Sequence, residues 1–128
     1  MVEDNPVNMM IVVAMLEHWG VRVAQAHDGL MAVEAVHHAV RQGDPFDAVL
    51  MDVQMPVMSG HEAARELRRH YAAHRLPILA LTAAALVSER DDAMRAGMND
   101  FLTKPIDAPK LRQSLARHVR AQAAESQA

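Results

Sequence analysis

The stretch Val49-Leu50-Met51-Asp52-Val53-Gln54-Met55-Pro56 governs the reading of the whole chain. An unbroken apolar run ends in one carboxylate, and the turn and capping residues Ser59-Gly60 follow. Such a run predicts a strand buried on both faces, as a parallel sheet covered by helices on each side requires. Asp52 then stands at the carboxyl end of that strand, where open α/β sheets gather their sites. Taken alone, a strand-end Asp is equally a loop-start or capping residue.

Upstream of this strand, Ala32, Val33, Val36, Ala39 and Val40 recur with helical period, between the turn Asp28-Gly29 and Gly43-Asp44-Pro45. Val21-Arg22-Val23-Ala24-Gln25-Ala26 predicts a strand before that helix. Asn5 as N-cap and Pro6 at the first helical position open an earlier helix, with Met9, Val12, Val13 and Leu16 inside and Gly20 at its end. Met1-Val2 reads as the close of a first strand, followed by the acids Glu3 and Asp4.

Downstream, Ser59 and Glu62 form a capping box, and Ala63, Ala64, Leu67 and Tyr71 line the inner face of the helix they start. Pro77 opens the strand Ile78-Leu79-Ala80-Leu81-Thr82. A charged helix over about 86–96 has a thin apolar face and stops at Gly97. Phe101-Leu102-Thr103 is a last short strand ended by Lys104-Pro105, and Asp107 caps a final helix that stacks Leu111, Leu115 and Val119. Residues 1–120 thus read as one domain and 121–128 as a small, polar tail or linker stub. Strand followed by helix, five times over, predicts a single doubly wound α/β layer with helices on both faces of a parallel sheet.

Composition agrees with one core. The chain has 128 residues, 51% apolar, with few aromatics and ten Met. A net charge of −3 without a basic face argues against direct nucleic-acid binding. The absence of Cys excludes disulfides and thiolate metal sites. No apolar run approaches a membrane span and no signal-peptide layout is visible, so a cytoplasmic domain is the expectation.

In a parallel sheet the strand ends lie on one edge. That edge collects Glu3, Asp4, Asp52, Thr82 and Lys104. Three carboxylates repel one another unless a cation joins them, and an all-oxygen set suits Mg²⁺. A lysine and a hydroxyl opposite would hold phosphoryl oxygens. Asp52 is the candidate nucleophile, because carboxylates form acyl phosphates.

Glu3-Asp4-Asn5, Met51-Asp52 with Met55-Pro56 and Ser59-Gly60, Leu81-Thr82-Ala83, and Phe101-Leu102 with Lys104-Pro105 resemble the receiver domain of two-component response regulators. The wording around Asn5-Pro6-Val7-Asn8 and Gly97-Met98-Asn99-Asp100 is most similar to receivers of hybrid sensor histidine kinases. The resemblance covers nearly the whole chain. It implies a flavodoxin-like five-stranded sheet of order 2-1-3-4-5 with five helices. It implies that Asp52 accepts a phosphoryl group from a phosphohistidine on a histidine kinase or histidine phosphotransfer protein. Asp4, Asp52 and the Gln54 carbonyl would ligate Mg²⁺, with Glu3 acting through water. Lys104 would pair with the phosphate, Thr82 would move in to bond it, and Phe101 would rotate inward as the switch aromatic. Pro105 would follow a cis bond, and the partner would dock near Asn8 and Met9. Gln54 and Ala84 would tune the phosphate's lifetime, and the face from Leu86 to the last helix would respond. Such a chain is an autocatalytic switch with slow self-dephosphorylation, a monomer or weak homodimer, not a turnover enzyme.

Three features qualify that reading. Phe101 lacks the hydroxyl of the Tyr common at its position, and it also suits plain core. Only Met1-Val2 precede the acids, so the first strand should be stunted to two or three residues. Each buried aliphatic contributes roughly 1.5–3 kcal/mol, so stability should fall and the open slot could pair with another chain. The pairs His37-His38 and His70/His74 read as solvated rather than metal-binding. Two other functions compete. A haloacid-dehalogenase-like phosphatase would need a second Asp where Gln54 stands. A phosphate-independent interaction module would not need the full set of Glu3, Asp4, Asp52, Thr82 and Lys104.

Overall fold

Apolar residues up to the terminal Asp52 and Thr82 let the two central strands face apolar neighbours on both sides, and the sheet is built around them. The computed structural model describes residues 1–53, 57–82 and 87–127. Its elements are α1 (Pro6–His18), α2 (Gly29–Arg41), β1 (Val49–Asp52), α3 (Gly60–Arg68), β2 (Ile78–Thr82), α4 (Val87–Arg95), β3 (Asp100–Thr103) and α5 (Ala108–Gln127). The strands form a parallel sheet in the order β1-β2-β3, with Val49 opposite Ile78 and Leu79 opposite Asp100.

Strand alternation divides the core in two. Val49, Met51, Ile78 and Ala80 join Val33, Val36, Leu67 and Ala93, so α2, α3 and α4 cover one face. Leu50, Leu79 and Leu81 join Val12, Leu16 and Leu111, so α1 and α5 cover the other. The helices start where the sequence puts their caps. Asn5 Oδ1 accepts from the Val7 and Asn8 amides, Ser59 Oγ from Glu62, and Asp107 Oδ1 from Lys110. Asp28, read as a turn residue, is the N-cap of α2 and accepts from the Met31 amide at 2.8 Å.

Among the described residues three of the five expected strands form. Residues 21–26 do not make a strand. Val2 makes isolated parallel bridges to Ala26 on one side and Met51 on the other. The Met1 ammonium donates to the Ala24 carbonyl (2.9 Å), Ala26 N to Met1 O, and Glu3 N to Ala26 O (both 3.0 Å). These bonds run from Ala24 to Ala26. Beyond Met1 a cavity of about 830 Å³ opens, lined by Val21, Val23, Phe46, Leu50, Leu115 and Val119 among others. At the other end the α5 backbone runs to Gln127.

The connection from β1 to α3 is tight. A Cβ on Gly60 would overlap the Asp52 carbonyl oxygen and stand 2.7 Å from Val53 Cα, both of them backbone. Gly60→Ala should therefore lower stability by about 3 kcal/mol, read as a reduced denaturant midpoint at unchanged slope. Val57, 78% exposed, has a φ of 69°, which a β-branched residue adopts only under strain. Val57→Asn should raise stability by about 1 kcal/mol in the same measurement, since Asn tolerates the left-handed region.

Candidate functional site

The bridges of Val2 bring the acids together. Val2 N donates to Leu50 O (2.7 Å) and Asp52 N donates to Val2 O (3.0 Å), so the chain leaving Val2 runs beside the end of β1. Glu3, Asp4 and Asp52 then offer carboxylate oxygens that all lie within 4.8 Å of one another. Glu3 is 1% and Asp52 5% exposed, whereas Asp4 faces solvent. The short first segment is thus enough to deliver both acids to Asp52.

Lys104 arrives from the end of β3. Its backbone N–H donates to the Thr82 carbonyl at 2.7 Å, and the Lys104–Pro105 bond is cis. Its ammonium stands 3.1 Å from Asp52 Oδ2 and 3.2 and 3.3 Å from the Glu3 oxygens. Burial works against that charge, but Asp52 first and Glu3 next hold the Lys104 pKa above its ordinary value. Burial and the neighbouring Asp52 push the Glu3 carboxyl up, against the pull of Asn8 and Lys104. Three carboxylates face one ammonium, which leaves negative charge in excess. A hard, oxygen-only donor set with excess negative charge fits a divalent cation of the Mg²⁺ kind.

Thr82, 3% exposed, ends β2 and is paired with Thr103. Phe101 is half-buried and packs against the larger core cluster. Beside it, Asp100 Oδ2 accepts from Ser114 Oγ (2.6 Å) and lies 3.3 Å from His118 Nε2, tying β3 to α5. Burial opposes the Asp100 carboxylate, yet the Ser114 hydroxyl, the Phe101 N–H and His118 keep its pKa below the usual value.

The partner is expected to dock near Asn8 and Met9. Met9 is 4% exposed because it lies on the inward stripe with Val12, Val13 and Leu16. The residues that α1 presents are Val7, Met10 and Ile11, at 57%, 65% and 46% exposure. Asn8 is half-buried, and its Nδ2 donates to Glu3 Oε1 at 3.1 Å. Sequence reading did not anticipate that bond, because Glu3 precedes the helix and Asn8 lies within it. The expectations for Gln54, Ala84 and Leu86 fall outside the described residues. His38, His70 and His74 are exposed, as expected, and His37 is half-buried. His37 Nδ1 lies 2.6 Å from Tyr71 Oη and its ring meets His70 edge-on at 4.9 Å, so His37 joins α2 to the segment after α3.

Comparison with known proteins agrees with this geometry. Residues 1–116 match the family model described as the response regulator receiver domain. Sensor protein GacS of Pseudomonas syringae pv. syringae is 44% identical over 115 residues, covering 88% of this chain and 12% of that protein. The signal transduction histidine-protein kinase BarA of Escherichia coli is 35% identical over 117 residues, covering 91% of this chain and 12% of that protein. This chain therefore spans about an eighth of such relatives. The receiver domain of the Pseudomonas aeruginosa sensor histidine kinase PA1611 was crystallised with magnesium coordinated in its active site cleft. It is 42% identical, superposes with a TM-score of 0.81, and covers 92% of this chain and 93% of its own. The receiver domain of Saccharomyces cerevisiae Ssk1, crystallised with the histidine phosphotransfer protein Ypd1, is 30% identical with a TM-score of 0.81, over 95% of this chain and 88% of its own. A sequence match along most of the chain, a shared fold and a converged acidic edge lead to one conclusion: this chain belongs to the response regulator receiver domain family of two-component signalling.

Proposed function

We propose that this chain is a phosphoacceptor switch in which Asp52 takes a phosphoryl group from a phosphohistidine of a histidine kinase or histidine phosphotransfer protein. The observation that carries the reading is the convergence of Glu3, Asp4, Asp52 and Lys104 on one sheet edge, with the Lys104 ammonium 3.1 Å from Asp52 Oδ2. An Asp52 oxygen attacks phosphorus, an O–P bond forms and the donor's P–N bond breaks. The imidazole leaves with the bonding pair and takes a proton from solvent. Glu3, Asp4 and Asp52, with the Gln54 carbonyl, are the residues that would hold Mg²⁺. When bound, Mg²⁺ neutralises phosphoryl charge and orients the transfer. Lys104, already charged and lodged between two acids, exchanges its Asp52 contact for a phosphoryl oxygen.

The conformational response follows from attachment. The Thr82 hydroxyl turns to a phosphoryl oxygen, and Phe101 packs further inward as it does so. The Lys104 amide bonded to the Thr82 carbonyl keeps strand ends β2 and β3 in step during that change. Phosphate binds one arrangement better than the other and so shifts their populations. The partner docks over the exposed apolar residues of α1, Val7, Met10 and Ile11, which stand in the turns following Glu3-Asp4. The domain acts as a monomer or weak homodimer on the cytoplasmic side. No helix of the described residues is long and apolar enough to cross a membrane. Phosphate is lost again by slow hydrolysis of the acyl phosphate, without turnover of an external substrate.

Intact mass after incubation with acetyl phosphate tests this reading. One Mg²⁺-dependent phosphoryl adduct is expected on the wild type, and none on Asp52→Asn or after chelation of the metal. A folded wild-type protein that stays unmodified would point instead to a phosphate-independent interaction module.

A further inference from the structure

We infer that Asn8 is a positioning residue of the acidic site, holding the Glu3 carboxylate in place for the cation; this rests on the phosphoacceptor reading. A carboxylate only accepts, so the Asn8 atom facing Glu3 Oε1 at 3.1 Å is its nitrogen, a donor. Glu3 is almost fully buried, at 1% exposure, and water cannot replace a lost partner there. Its other donor is Lys104, which also bonds Asp52. When Lys104 turns to the phosphoryl group, Glu3 keeps Asn8 as its fixed protein partner.

The chemistry of the donor matters. An amide orients a carboxylate and leaves its charge intact. A lysine or arginine in the same place would neutralise Glu3 and repel a divalent cation. The backbone is also prepared for this role. Asn5 Oδ1 accepts from the Val7 and Asn8 amides at 2.9 and 3.2 Å, which fixes the first turn of α1 and with it the root of the Asn8 side chain. Two asparagines three residues apart thus link the helix start to the metal-side carboxylate: Asn5 sets the backbone, and Asn8 sets Glu3. Groups that orient ligands commonly contribute about 10–100-fold to metal affinity.

Calorimetric titration of Mg²⁺ into the wild type and Asn8→Ala tests the inference, beside thermal melts without metal. The expected result is Mg²⁺ affinity weakened by about tenfold in Asn8→Ala with little change in the metal-free melt. Acetyl phosphate labelling should slow at limiting Mg²⁺ and recover at saturating Mg²⁺. The small donor involves no docked protein, so this loss cannot come from a damaged partner surface. Asn8→Gln, which keeps the carboxamide, should recover part of the affinity. Should Asn8→Ala melt well below the wild type, Asn8→Ser makes the same comparison with a side chain too short to reach Glu3. Wild-type Mg²⁺ affinity in a folded Asn8→Ala or Asn8→Ser would overturn the inference and leave the phosphoacceptor reading standing. A wild type that neither binds Mg²⁺ nor accepts phosphate would overturn that reading itself.

Discussion

The ammonium of Lys104 lies between the carboxylates of Glu3 and Asp52, and the functional edge depends on that arrangement. Two acids so little exposed cannot stay charged side by side without a cation. Lys104 supplies it from the end of the last strand, 101 residues away from Glu3 in sequence. The contact therefore fixes more than charge. It ties the first segment, the central strand and the last strand into one edge, and it keeps that edge rich in negative charge because Asp4 remains outside the pair.

The sheet exists to hold these groups in register. β1 and β2 are buried along their whole length, so neither can slide without moving apolar side chains from one core cluster to the other. Asp52 follows directly from that burial: it is the last residue of the run and has nowhere to go but the edge. Thr82 stands at the matching end of β2, one register step beyond the partner of Asp52. Gly60 then lets α3 start against the Asp52 backbone.

The opposite end of the sheet is less complete. Val2 bridges Ala26 and Met51, and this suffices to orient Glu3 and Asp4, but the residues before Ala24 stay outside the ladder and a cavity lies beyond Met1. The order of the edge and the openness of the far end coexist because strand-end geometry needs only the last hydrogen bonds of a ladder. In α1 the cap Asn5 holds the first turn, and the half-buried Asn8 in that turn reaches back to Glu3.

Much of this was legible in the sequence. Apolar periodicity identified the inward residues of α1 one by one and most of those of α2 and α3, because burial leaves a local trace; Val40 of α2, read as inward, is exposed. Caps such as Asn5, Ser59 and Asp107 were equally readable, since they act within three residues of themselves. The site residues Glu3, Asp4, Asp52, Thr82 and Lys104 were identified by strand ends and family resemblance, without any distance. What only the tertiary structure decided concerns pairs distant in the chain or competing for one neighbour. The strand at residues 21–26 had the right residue pattern, but a ladder needs a partner, and a pattern cannot count its partner's hydrogen bonds. Met9 carried the periodicity of a core residue, and packing buries it on the inner side of α1. The bonds of Asn8 to Glu3, Ser114 to Asp100 and His37 to Tyr71 are likewise products of the assembled fold. A side-chain bond between separate elements depends on where those elements meet, and that is set by the core, not by the residues that form the bond.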